Sequence, residues 1–278
     1  MDSDLDYCLQ QLRRYDRDRY LVAVAAPATA AADLAVLLAF GLELALIRDS
    51  VREPMLGQIR FQWWREALDG VYAGTPRRHA VLVPLARLVQ RRLLTRAHFD
   101  RIIDARESEL IEPPPPDLAT LESFGDATVG SLLALAAEAT GLRAEAHGEL
   151  IRHVGVAVAL TGTARATLYL AQNQRRMIPD DIVAATGLSV DGLLALKPQP
   201  ALKPAVGRVA QSARAHLAAA HRLKAPAPLL PALRMGTLAR VQLGRLERAG
   251  CDLFDPKSVE SAPLALWHLA ARRFLGTW

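Results

Sequence analysis

Asp100 and Asp104 stand four residues apart, with Glu107 and Glu109 close behind them. On a helix that spacing lays carboxylates along one face, where they can hold a hard divalent cation. Arg101 and Arg106 interleave with them. Neighbouring opposite charges on a helix satisfy one another, so this face is read as solvated and self-paired. Asp180 and Asp181 follow Pro179 and read as the cap of the next helix. Cys8 and Cys251 lie near opposite ends of the chain, with no CxxC pair and no histidine cluster beside them. Neither a disulfide framework nor a zinc site is expected, and a reducing compartment fits. The remaining groups with chemical reach are Asp49 beside Arg48, and the arginines Arg17, Arg19, Arg165, Arg175 and Arg176. Their planar guanidinium forks suit phosphate or carboxylate oxygens.

The elements that must position these groups read as helices. Leu82, Leu85, Ala86, Val89 and Leu93 form one amphipathic stripe, and Val129, Leu132, Leu133 and Ala136 repeat the pattern. No alternating strand pattern is visible. Proline and glycine clusters break the periodicity at residues 52–57, 113–116, 197–204 and 225–231. They read as loops between helices, since the core pattern resumes on both sides. The expectation is one all-α domain over residues 1–278, a bundle of eight to eleven helices. With 51% hydrophobic and 5% aromatic residues, its core is built mainly from Ala, Leu and Val. A net charge of +5 is mild, and it permits an anionic ligand, an acidic partner or a membrane surface without selecting one. The basic residues are dispersed and carry no nucleic-acid motif, so no nucleic-acid partner is expected. The acidic start MDSDLDYCLQ is unlike a targeting peptide. The apolar runs 34–47 and 129–140 fall short of a bilayer span. A cytoplasmic protein, at most peripheral to a membrane, follows.

Two stretches carry a resemblance: AFGLELALIRDSVREPMLGQIRFQWWREAL (39–68) and GVAVALTGTARATLYLAQNQRRMIPDDI (155–182). With DRDRYL (16–21) and LESFGDATVGSLLALAAEATG (121–141) in the same order, they are similar to the squalene/phytoene synthase family. The resemblance implies an isoprenoid-synthase-like bundle with a central cavity. In that family two facing helices present aspartates that hold magnesium against a diphosphate, which stabilises the leaving group. Here the first motif falls on Ala45, Leu46, Ile47, Arg48 and Asp49, and the second runs from Ala166 to Leu170. Asp49 alone keeps a carboxylate. Alanine and leucine cannot bind a metal, so no cofactor is expected. Magnesium is implied only if the chain is nevertheless an active prenyl-diphosphate transferase of the squalene or phytoene type.

What remains is basic. Arg17, Arg19 and Tyr20, with Arg48, Asp49, Arg165, Tyr169, Arg175 and Arg176, are the candidate ligand-binding residues. The arginines either bind a diphosphate without metal or bridge Glu43, Asp49 and other carboxylates structurally. Gln62, Trp63, Trp64 and Arg65 are the candidate partner surface. Adjacent tryptophans on a helix point about 100° apart, so either one is exposed to a partner or a wide face is buried. The segment SAPLALWHLAARRFLGTW (261–278) is amphipathic and basic, suited to a membrane, a partner helix or plain packing.

The block Glu53, Pro54, Gly57, Ile59, Arg60, Gln62, Trp63, Trp64, Arg65, followed by Arg165, Ala166, Thr167 and Tyr169, resembles one branch of the family, the mitochondrial complex I assembly factor and its bacterial relatives. That resemblance implies a pseudoenzyme at the cytoplasmic face of the inner membrane. A complex I subunit or assembly intermediate is its implied partner, and an isoprenoid or lipid its implied ligand.

Overall fold

The structure, a computed structural model, describes residues 3–111, 113–260 and 262–278. Among these residues there is no strand. The first half runs α1 (Ser3–Tyr15), α2 (Arg17–Ala25), α3 (Ala28–Ser50), α4 (Pro54–Tyr72), α5 (Leu82–Arg92), α6 (Arg96–Ser108) and α7 (Leu118–Gly125). A π-turn, Asp126–Gly130, leads into α8 (Ser131–Ala139) and then α9 (Gly148–Gln172). The short α10 (Asp180–Thr186) and α11 (Val190–Leu194) precede α12 (Leu202–His221) and α13 (Leu230–Arg248). The chain closes with α14 (Pro256–Val259) and α15 (Ala265–Phe274). The all-α expectation holds, but the described helices outnumber the eight to eleven expected, because short ones such as α10, α11 and α14 stand between the long ones.

Local chemistry sets the boundaries. Asp16 caps α2 by accepting from the Arg19 backbone N–H at 3.0 Å, and Asp117 caps α7 through Thr120 N–H at 2.7 Å. Pro54 opens α4, where its missing N–H costs nothing, so the break expected over 52–57 is shorter and Gly57 lies inside the helix. Asp180 and Asp181 occupy the first turn of α10 without capping it; the cap position is Pro179. There the two carboxylates meet the positive end of the helix dipole.

The core is continuous from Cys8 to Trp278. Phe40 packs edge-on against Trp64 at 5.5 Å and Phe99 at 5.1 Å, and burying each such ring contributes roughly 2 kcal/mol. The α5 stripe is buried through Val89, but Leu93, expected on the same stripe, caps the helix end and lies exposed in the left-handed region at φ 50.

The central helix α9 packs against α7, α8, α12, α13 and the π-turn. Its Gly155 permits the closest approach in this neighbourhood, since a Cβ there would lie 2.5 Å from Gly130 Cα and N. The apolar helices also run past the stretches legible as apolar. The 23-residue α3 and the segment Ala144–Gln172 are each long and apolar enough to cross a bilayer. In the bundle, α3 instead buries Leu34 through Leu42 without a break, as a core helix does.

Candidate functional site

A cavity of about 450 Å³ opens between α2, α9 and α13, with the π-turn completing its wall. Val22, Val129, Val158, Met235, Leu238 and Ala239 supply its apolar lining, and Asp16, Asp18, Arg19, Arg106, Glu109 and Arg165 its charges. The π-turn places Thr128 and Val129 on this lining, opposite Val158 and Ala159 one turn beyond Gly155. An apolar body ending in an anionic or hydrogen-bonding head matches that mixture.

The first turn of α2 sends two side chains into the cavity. Arg19 is held by Asp16 at 3.3 Å. Burial lowers its pKa, Asp16 opposes that effect, and the nearby Arg106 charge reinforces it. Asp18 accepts from Gln242 Nε2 of α13 and, at 3.4 Å, from Arg165 Nη1 of α9. Three helices therefore meet at one carboxylate. Arg165 also donates to the Val259 carbonyl at 2.7 Å, which ties α14 to the cavity. Arg106 lies over the Phe124 ring at 5.1 Å and pairs with Glu109 at 2.9 Å. Asp18 Oδ1, Arg106 Nε and Arg165 Nε are buried with no hydrogen-bond partner. Unmade hydrogen bonds of this kind are costly, and a polar ligand group can satisfy them.

Beside the cavity a second cluster joins the helices on which the two degenerate motifs fall. Arg175 donates to Asp49 at 2.8 Å and to Glu109 at 3.0 Å, while Tyr169 O–H donates to the other Asp49 oxygen at 3.0 Å. Partial burial and the Asp49 charge raise the Tyr169 pKa. Arg48 turns away from Asp49 and donates to the Glu109 carbonyl at 3.2 Å.

Of the expected positions, Arg19, Arg165, Ala166 and Leu170 line the cavity. Asp49, Tyr169 and Arg175 form the neighbouring cluster, and Arg176 instead bonds the Ile178 carbonyl and Asp180. Arg17 is exposed outside the cavity, while Tyr20 packs against the core. Leu46 faces an aromatic groove with Trp63, Trp64 and His79, and Ala45 lies on neither lining. Glu43 bonds Tyr7 O–H at 3.0 Å, not an arginine, and burial together with Glu43 pushes the Tyr7 pKa up to about 12.

The tryptophans share one cluster around His79. Trp64 is buried and Trp63 half-buried, with Arg77 over the Trp63 ring at 5.4 Å. Gln62 bonds Glu66, and Arg65 pairs with Asp104 at 2.7 Å and Glu107 at 2.6 Å. Asp104 and Glu107 are thus bridged across to α4, while Asp100 pairs along its own helix with Arg96 at 2.8 Å and Glu109 with Arg106 at 2.9 Å, so the self-paired face is found in part. The exposed apolar side of α4 is Met55, Leu56 and Ile59. Glu109, Arg106 and Gln242 were not foreseen at the site. Partners distant in sequence bring two of them to the cavity, Arg175 for Glu109 and Asp18 for Gln242, and only DRDRYL hinted at Asp18. Among the described residues no group of three or more His, Cys, Asp or Glu is arranged to hold a metal ion.

The squalene/phytoene synthase family profile matches residues 12–268. Complex I assembly factor 6 of Bos taurus is 32% identical over 253 residues, covering 90% of this chain and 76% of that protein. The Mus musculus protein is 30% identical over 267 residues, covering 94% and 80%. Presqualene diphosphate synthase of Rhodopseudomonas palustris is 28% identical over 177 residues, 63% of this chain and 62% of that protein. The fold is similar to a dehydrosqualene synthase at a TM-score of 0.83, with 17% identity and 99% and 98% of the two chains covered. A squalene synthase of Alicyclobacillus acidocaldarius superposes at 0.76, with 16% identity over 90% and 95%. The chain therefore belongs to the squalene/phytoene synthase family, in a branch resembling the complex I assembly factor.

Proposed function

We propose that this chain is a non-catalytic member of its family that serves the assembly of respiratory complex I at the cytoplasmic face of the inner membrane. In this reading the cavity holds an isoprenoid or lipid. The observation that carries the loss of catalysis is the Asp49 cluster. Ala45, Leu46, Ala166 and Leu170 offer no oxygen to a cation, and both oxygens of Asp49 accept from Arg175 and Tyr169. These residues do not fit magnesium, which needs several oxygen ligands free to point at one centre. The names of the mammalian relatives support the assembly role.

The cavity's own residues bind in this reading. Arg19 and Arg106 supply charge for an anionic head, and the valines, Leu238 and Met235 take an apolar chain. Similarity to presqualene diphosphate synthase supports the second reading, an active prenyltransferase making a C30 or C40 isoprenoid. One assay separates the two: pyrophosphate release from farnesyl or geranylgeranyl diphosphate with magnesium, with product extraction. Release at the background rate from folded protein is expected. Metal-dependent turnover would establish the transferase. The assembly role is checked by deleting the gene, which should lower assembled complex I and be reversed by the intact chain.

A further inference from the structure

Helix α15 is apolar on two opposite faces. Ala265 and Leu269 are buried in the bundle. On the other side Leu264, Trp267, Ala271 and Phe274 follow at spacings of three, four and three, forming one stripe. Trp267 is 74% exposed, Phe274 91% and Leu275 65%. Large aromatic side chains on an outer face with no protein over them mark an interaction surface.

The helix is fixed in place. Trp278 is buried against Gly236, where a Cβ would lie 2.8 Å from its ring, and it packs at a tilt against His221, ring centres 4.3 Å apart. Arg273 donates to the Ala25 carbonyl at 3.3 Å, binding α15 to the end of α2. The stripe is therefore held along the surface of the bundle before any partner arrives.

Charge selects the occupant. From Ala262 to Trp278 the sequence has His268, Arg272 and Arg273 and no Asp or Glu. An apolar stripe bearing Trp, Phe and Leu beside arginines is the composition of a helix lying in the plane of an anionic bilayer, rings among the acyl chains and guanidinium groups at the phosphates. The exposed patch on α4 differs: Met55, Leu56 and Ile59 include no aromatic ring, and Glu53 stands among the flanking Arg52 and Arg60. We propose that the outward stripe of α15 seats the protein on an anionic phospholipid surface. This names the contact behind the peripheral placement in the reading above, and it stands or falls separately from the cavity's role and from complex I.

The test is co-sedimentation of the full chain with phosphatidylcholine vesicles with and without phosphatidylglycerol. Binding is expected with the anionic vesicles and should weaken as salt is raised. The double variant Trp267→Ser/Phe274→Ser should lose about tenfold or more in partitioning, whereas Ile59→Ser on α4 should bind as wild type. If the double variant fails to fold, emission from the intact protein decides. Trp267 is the exposed one of the four tryptophans, and brominated acyl chains should quench it. Absence of vesicle binding, or binding that the double variant retains in full, overturns the proposal. So does self-association in ultracentrifugation that the double variant abolishes while vesicles are ignored; that result reassigns the face to a second copy of this chain.

Discussion

Asp49 and Asp18 stand on facing parts of one bundle and meet different fates. Asp49 accepts from Arg175 at 2.8 Å and Tyr169 at 3.0 Å, and through Arg175 it is linked to Glu109. Asp18 accepts from Gln242 and Arg165 through one oxygen, while its other oxygen is buried without a donor. The outer cluster closes on itself, with a donor on each oxygen of Asp49. The cavity lining has kept polar atoms unspent, at an energetic cost that a ligand can recover. A self-satisfied carboxylate cluster and a cavity with unsatisfied polar atoms therefore lie side by side, with α9 contributing to both.

The cavity side of this comparison rests on the contact between α9 and the π-turn. Gly155→Ala drives a Cβ to within 2.5 Å of Gly130 backbone atoms, which cannot move as a side-chain tip can. The expected loss is about 3 kcal/mol, read by urea denaturation. A near-neutral result would mean that the wall carrying Val129 is pliant and that the cavity's shape is not fixed by this contact. Next in size is the outer cluster. Arg175→Ala leaves Asp49 with Tyr169 alone and should cost about 2 kcal/mol. If that variant is instead as stable as wild type, the cluster is not self-satisfied, and the contrast with Asp18 fails.

Helical periodicity located the core because apolar side chains must recur every three or four positions wherever a helix packs. Val129, Leu132, Leu133 and Ala136 were found in this way and are buried. The same reasoning overran at Leu93, since periodicity does not register a left-handed helix end. It also could not see the π-turn, which leaves apolar spacing nearly intact. The degenerate motif positions were legible from residue type alone, but their geometry was not. Glu109 meets Arg175 from 66 positions away, and Arg165 finds the Val259 carbonyl from 94. Pairings at such separations depend on the packed bundle and leave no local spacing to read. Of the two alternatives open for the adjacent tryptophans, the structure has the wide buried face, since Trp63 and Trp64 both turn toward His79, a residue outside their helix.

Acidity separates the regions again. On the seam between α9 and α12, His153 Nδ1 lies 2.8 Å from His216 Nδ1. Burial lowers the His153 pKa, with the His216 and Arg152 charges adding to the effect and Glu149 and Glu122 opposing it. The unfolded chain, with an ordinary histidine pKa of about 6.5, takes up this proton first. The contribution to stability is therefore complete above that value and is lost as pH falls below it. Through this group stability should fall between pH 7.5 and pH 5.5, by less than the roughly 1.4 kcal/mol that one histidine can contribute over that window. His153→Leu should flatten the profile, while Arg175→Ala should shift it down without changing its slope. A slope that follows Arg175 instead would place the titrating group in the outer cluster.

The smallest effect gives the finest test of closure at Asp49. Tyr169→Phe removes one donor from a half-exposed carboxylate and should cost about 0.5 kcal/mol. In a double-mutant cycle with Arg175→Ala the two losses should not add, since both side chains hold the same Asp49. With Arg175 gone, Tyr169 becomes the last side-chain donor to Asp49, and its removal should then cost more than it does in the intact chain. Strict additivity would mean that the phenol and the guanidinium act independently, and Asp49 would then be a carboxylate with two neighbours, open to a third.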